Sequence, residues 1–150
     1  MTVFKFQNLV TDQKTITAVL GTGTGDVFDD SSIDKPVKLG ANDNYVKCVA
    51  GDEIEGFVSS IEPGTVNAGY SHGGVQTWGR KFVKVDAGQA TPLVPGDKVV
   101  AGAVVADGTY LTGELPNVQK AAGAITFVWR VISIVTSGAA GGTVLIERAS

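Results

Sequence analysis

The chain has one cysteine, one histidine and no apolar run of the length that a membrane-spanning helix needs, which is about 18 residues. With Cys48 alone there is no intramolecular disulfide framework and no thiolate metal site. Its setting, Tyr45-Val46-Lys47-Cys48-Val49-Ala50, is strand-like, so Cys48 is expected to be a small buried hydrophobe. His72 alone cannot supply a cupin-type metal site, which needs several histidines. Charge is also scarce. Asp, Glu, Lys and Arg make up 18% of the residues, against about 25% in ordinary domains. The net charge is −3, and the 12 basic residues form no cluster. A phosphate backbone or an anionic membrane needs a basic stripe, so neither nucleic acid nor membrane is an expected partner. The opening Met1-Thr2-Val3-Phe4-Lys5-Phe6-Gln7 lacks the basic-then-apolar order of a signal peptide, so synthesis in a cytoplasm is expected.

Glycine and short apolar runs are what the chain does have. Its 20 glycines lie scattered between apolar stretches and read as turn residues. At 150 residues, with 43% hydrophobic residues, the chain can bury a sizeable core without disulfide or metal. From about Lys35 onward, apolar runs broken by Gly, Pro, Asn or Asp recur in the rhythm of all-β sandwiches and barrels. Glu53–Val58 sets Ile54 and Val58 against two glutamates, and Arg80–Asp86 sets Val83 and Val85 against Lys84 and Asp86. Such period-two alternation marks half-buried strands. Leu93–Val100 reads as strand, Pro95-Gly96 turn, strand; Val104–Leu111 reads as a hairpin about Asp107-Gly108. Ile125–Val135, a small-residue loop at 137–142 and Thr143–Glu147 read as a closing hairpin. Ile125, Phe127, Trp129 and Val131 share one face of its first arm, while Val128, Ile132 and Ile134 share the other. A strand apolar on both faces is central in a sheet or covered by a neighbouring subunit.

Helix is expected to be scarce. Leu9 to Leu20 has a partial helical stripe, but threonines at 11, 15, 17 and 22 count against it. Residues 1–35 read as an extended N-terminal arm and loop, with Val3-Phe4-Lys5-Phe6 as a docking patch, and 36–150 as the β domain. No internal repeat is evident.

Each constellation that might carry chemistry lacks a partner. Gly21-Thr22-Gly23-Thr24-Gly25 is followed by Asp26 where a phosphate-binding loop needs Lys. Asp26, Asp29, Asp30 and Asp34 crowd one loop, but without the alternate spacing, central glycine and closing glutamate of a calcium loop. They read as solvated helix-cap or turn residues. Ser71 and His72 are adjacent, so strand alternation points them apart, and no orienting carboxylate is evident. Lys98 follows Asp97 as in biotinyl or lipoyl carriers, but it opens a strand instead of capping a hairpin. Tyr70, His72 and Trp78 in the glycine-rich run 67–79 are either packing residues or a platform for sugar or protein. No catalytic, cofactor-binding or metal residues are therefore assigned, and the chain is read as a non-enzyme.

Three stretches bear a resemblance to a known family. They are Lys35-Pro36-Val37-Lys38-Leu39-Gly40 leading into Gly51–Val58, the Pro-Gly-Asp-Lys-Val strand entry at 95–99, and the Trp129-Arg130-Val131 strand with its Thr143–Glu147 return. Together they span roughly 35–148, and the chain resembles the capsid decoration (cement) proteins of tailed bacteriophages. The resemblance implies a small β-barrel, or a jelly-roll or sandwich. It also implies a virion structural protein that decorates the outside of a phage capsid and clamps neighbouring capsid subunits without catalysis or cofactor. The implied partners are the major capsid protein and the chain itself, as a dimer or trimer. The alternative expectation is a carbohydrate- or receptor-binding β module of a virion or cell surface.

Overall fold

Alternating strand patterns joined by turn residues build two barrels in succession. The computed structural model describes residues 14–21, 28–62, 71–103 and 115–150. Among them are ten strands and one 3-10 turn at Asp30–Ser32. The first closed barrel contains β1 (Thr15–Leu20), β2 (Pro36–Leu39), β3 (Asn44–Lys47), β4 (Gly56–Ile61) and β5 (Ser71–Gln76). The second contains β6 (Arg80–Val85), β7 (Lys98–Ala101), β8 (Asn117–Lys120), β9 (Trp129–Ile134) and β10 (Thr143–Arg148). The all-β barrel expectation therefore holds.

The two barrels repeat one another, contrary to the expectation of no internal repeat. In each, the first strand runs parallel to the third and antiparallel to the fifth, and the second pairs with the third and fourth. The registers also coincide. Leu20 lies beside Tyr45 as Val85 lies beside Val118. Val37 lies beside Lys47 as Val99 lies beside Lys120. A β-bulge leaves Ser59 unpaired in β4, and another leaves Ile132 unpaired at the matching point of β9. Even the turns agree. Asp34 and Gly96 each take positive φ two residues before the second strand, and each donates its N–H to the fourth strand, at Val58 and Val131 respectively. A side chain is strained in this left-handed region, so glycine suits 96 and aspartate is one of the few alternatives at 34.

Part of the expected arm belongs to the first barrel. Thr15–Leu20 forms a six-position antiparallel ladder with β5, because its β-branched residues favour strand over helix. Residues 1–13 lie outside the described part. The 104–111 hairpin likewise lies wholly outside it, whereas the closing hairpin is present as β9 and β10. Three boundaries differ from expectation. Leu93-Val94 is not a strand, β4 begins only at Gly56, and β9 begins only at Trp129. Glu53 accounts for the last of these, since its carboxylate accepts the N–H groups of Thr126 and Phe127 and ties that stretch outside the ladder. Asp86 is buried and not on a polar face; it accepts the N–H groups of Gly88 and Ala103.

Each barrel has a core, and the second reaches into the first. Leu20, Phe28, Val37, Tyr45, Val58, Ile61 and Val75 fill the first. The second contains Val83, Val85, Leu93, Val99, Val118, Trp129, Val131, Val144 and Ile146, together with Cys48, Ile54 and Phe57 from the first half of the chain. Phe57 meets Trp129 edge-on, with ring centroids 5.1 Å apart, and Trp129 Nε1 donates to the Ile54 carbonyl at 3.1 Å. Consecutive β4 residues thus point into different cores, Val58 into one and Phe57 into the other. The junction therefore buries both faces of β4 at that end.

Candidate functional site

The residues singled out in the sequence are dispersed, and several of those described have a structural task. Asp29 caps the 3-10 turn, accepting the Ser31 backbone N–H at 2.9 Å while Ser32 returns a bond to the Asp29 N–H. The Ser31 hydroxyl bond to its carboxylate, with help from that backbone N–H, holds Asp29 below the usual aspartate range. Asp34 pairs across the junction with Lys81. Asp26 lies outside the described residues, as do residues 22–25 of the glycine run. Gly21 donates its N–H to the Tyr45 carbonyl. Among the described residues no group of three His, Cys, Asp or Glu side chains is placed to hold a metal ion.

Ser71 and His72 behave as alternation requires. The Ser71 hydroxyl is buried and donates to the Phe28 carbonyl at 3.0 Å, whereas His72 is half-buried opposite Val19 on β1. Trp78 sits in the link between barrels, 42% exposed, and its carbonyl accepts a bond from Gln76 Nε2. His72 and Trp78 lie toward opposite ends of β5, roughly 20 Å apart along the chain at strand rise. They are not gathered into one platform, and Tyr70 lies outside the described residues. Lys98 opens β7 directly after the Pro95-Gly96 turn, as the sequence implied.

Cys48 is buried against the junction, and its Sγ lies 3.7 Å from the Glu53 carbonyl. Desolvation, reinforced by the Asp52 charge, pushes its thiol up to about 12. A thiolate nucleophile needs the opposite environment. Beside it, Lys35, Pro36, Lys47, Gly102, Ala103 and Asn117 help line a cavity of about 10 Å³, the size of one water and too small for an organic ligand.

The junction is held by charge as well as packing. The Arg148 guanidinium lies over the Phe127 and Trp129 rings, at 5.0 and 5.7 Å, and donates to the Glu55 carbonyl. Burial lowers its pKa, with Glu55 and Tyr45 opposing that shift. Hydrogen bonds and rings thus replace the water that Arg148 loses.

The exterior of the described residues offers contact surface. Leu39, Val49, Phe82 and Val94 are about half exposed or more, and Trp78, Ile134 and Val135 add to them. Ile16 and Val19 are exposed on β1 of the first barrel; on the second, Phe82, 52% exposed, lies beside Leu145, and Leu145 lies beside Ser133 next to the bulged Ile132. Sequence reading missed Phe82 although the signal was present. It shares the outward face of β6 with Arg80 and Lys84, where alternation calls for a polar residue. The apolar second face of β9 is likewise open, since Ile132 is only half-buried and Ile134 is exposed.

Neither a protein-family model, nor a curated protein, nor a solved structure matches this chain.

Proposed function

We propose that this chain is a structural protein that decorates the outside of a phage capsid, binding neighbouring capsid subunits through its outer surfaces and its N-terminal segment. The observation that supports this reading is the set of large apolar side chains standing on the outside of two barrels that are locked together by a shared core. A rigid doubled barrel suits a clamp, because a contact made on one barrel is transmitted to the other without loss in a flexible link. Repetition of a modest contact over many equivalent shell sites then stabilises the shell through multivalency. No reaction and no cofactor enter this role. The partners are the major capsid protein and other copies of the chain.

The test is co-sedimentation of the purified chain with empty, expanded shells of the major capsid protein from the same virus. Binding should saturate at a fixed ratio to capsid subunits, and a chain lacking residues 1–8 should keep its fold and lose the shell. Absence of saturable binding by the full chain overturns the proposal.

A further inference from the structure

The two barrels agree in fold and differ in charge. Residues 14–79 carry nine acidic and four basic side chains, whereas residues 80–150 carry five acidic and seven basic. The fold concentrates the second excess on one outer face. Across β6, β10, β9 and β7 one outward row reads Arg80, Glu147, Arg130 and Lys98. Phe82 follows Arg80 on that face, 52% exposed, with Leu145 beside it and the exposed Lys84 beyond. Arg80 pairs with Glu147, but among the described residues Lys84, Lys98 and Arg130 have no ion pair. Basic residues scattered through the sequence are therefore gathered around an exposed aromatic ring.

The first barrel carries a face of the opposite sign. Val19, 38% exposed, lies between His72 of β5 and Asn44 of β3. Glu62 extends this row by donating its N–H to the His72 carbonyl, and Asp43 adjoins it next to Asn44. Both of these acidic residues are exposed. Leu39, 49% exposed, stands on the hairpin that Asp43 closes, and Ile16 is exposed further back along β1. The basic residues of this half lie elsewhere. Lys35 is buried, Lys38 pairs with Asp52, Lys47 lies over the Phe28 ring, and Lys14 precedes β1 at its far end. The repeat makes the exchange explicit. Lys84 takes in the second ladder the place of Val19 in the first, and the half-exposed Val135 takes the place of Glu62. Exposed apolar side chains are common to both barrels; what differs is the sign of the charge around them.

We propose that copies of this chain bind one another unlike face to unlike face. Val19, Asp43 and Glu62 on the first barrel of one copy meet Phe82, Lys84 and Arg130 on the second barrel of another. The inference rests on the decoration reading, which makes other copies partners, and adds the surfaces and their polarity. Each copy has one face of each kind, so every face is satisfied only when the assembly closes on itself. Charge favours this pairing over its rivals. Like faces would set Lys84, Lys98 and Arg130 against their own copies, and like-charge juxtaposition is strongly unfavourable. A long polyanion would run from the basic face toward a half of the chain with an acidic excess, on a molecule whose net charge is −3. Phe82 and Val19 supply the apolar contact, while the ions around them set the orientation.

The test is light scattering and sedimentation of the full chain at low and high salt. A single closed oligomer is expected at low salt, with a dissociation constant that rises on the order of tenfold at high salt. Phe82→Ser should weaken association at both salt levels and leave the far-UV spectrum unchanged. Reversing the basic face with Lys84→Glu and Arg130→Glu should leave a folded monomer. So should reversing the acidic face with Asp43→Asn and Glu62→Lys; asparagine tolerates the positive φ of 53° at that position. A chain with all four changes again presents faces of opposite sign and should reassociate. An unsubstituted chain that is monomeric at low salt, association indifferent to either reversal, or a folded four-fold variant that stays monomeric overturns the proposal. Co-sedimentation with shells is scored separately. A monomer that saturates shells sinks this inference and leaves the decoration reading standing, whereas an oligomer that ignores shells does the reverse.

Discussion

Phe57→Ala tests whether the two barrels form one cooperative unit. Phe57 belongs to a strand of the first barrel, is fully buried, and sits in the core of the second against Trp129. Truncating a buried phenylalanine costs about 3–5 kcal/mol, which already includes the edge-on ring contact and the cavity left behind. For a chain of this length each kcal/mol lowers the melting temperature by roughly 2–4 °C, so a drop of about 6–20 °C is expected. Trp129 is a built-in reporter once Trp78 is replaced by Phe. Trp129 is fully buried, whereas Trp78 is partly exposed and would blur the signal. Urea unfolding followed by Trp129 fluorescence and by far-UV circular dichroism should give coincident single transitions before and after the substitution, both displaced together. If fluorescence and dichroism separate in the unsubstituted chain, or if Phe57→Ala costs less than about 1.5 kcal/mol, the shared core does not couple the barrels.

Two other outcomes follow from the interior. The Cys48 thiol, pushed up to about 12 by burial, should resist aromatic disulfide reagents at pH 8 until the chain is unfolded; prompt labelling of native protein would contradict its placement. The sign of its effect on stability is fixed by linkage. Below about 9 both folded and unfolded thiols hold their proton and stability is at its full level. Above that value the unfolded chain ionises first, so stability falls until pH reaches about 12, and Cys48→Ala should flatten this alkaline decline. Glycine substitutions should divide by packing. A Cβ at Gly73 would lie 2.1 Å from the Ser60 carbonyl oxygen, whereas one at Gly123 meets nothing within 4 Å. Gly73→Ala should therefore cost at least about 1–3 kcal/mol, as overpacking does, while Gly123→Ala stays within about 0.5 kcal/mol, both read by thermal melts.

Much of the strand content was legible because it rests on local rules. Val83 and Val85 alternate with Lys84, the Pro95-Gly96 turn leads into β7, and the small-residue loop joins β9 to β10; each is a short-range pattern with one physical solution. What could not be read locally was where an element changes environment. Ile54 and Val58 read as one face of a single strand. They fall in different cores, because β4 begins only at Gly56 and the second barrel covers its outer face at Phe57. Asp29 caps a turn, one of the two roles expected of the aspartates in that loop, whereas the fates of Asp34 and Ser71 were set by long-range partners that no spacing announces.

The repeat was hidden for a more instructive reason. Superposing the ladders aligns Val37 with Val99, Gly40 with Gly102, Asn44 with Asn117, Lys47 with Lys120, and Val58, Ser60 and Ile61 with Val131, Ser133 and Ile134. These identities are sparse, and the loops between them differ in length, so no fixed period links them in the sequence. Several sit where the barrel itself makes demands. Gly40 and Gly102 each donate an N–H to the carbonyl of the matching asparagine, and a Cβ at either would fall within 3 Å of a neighbour. Val37, Val99, Val58 and Val131 fill equivalent core positions. Positions free of those demands have diverged, and they have done so unevenly. Phe57, turned toward the junction, matches the exposed Arg130, and the outward Thr17 and Gly74 match Phe82 and Leu145. What the two barrels hold in common therefore marks the residues that make the fold. What separates them marks the surfaces that each presents, one to the other barrel and one to whatever lies outside.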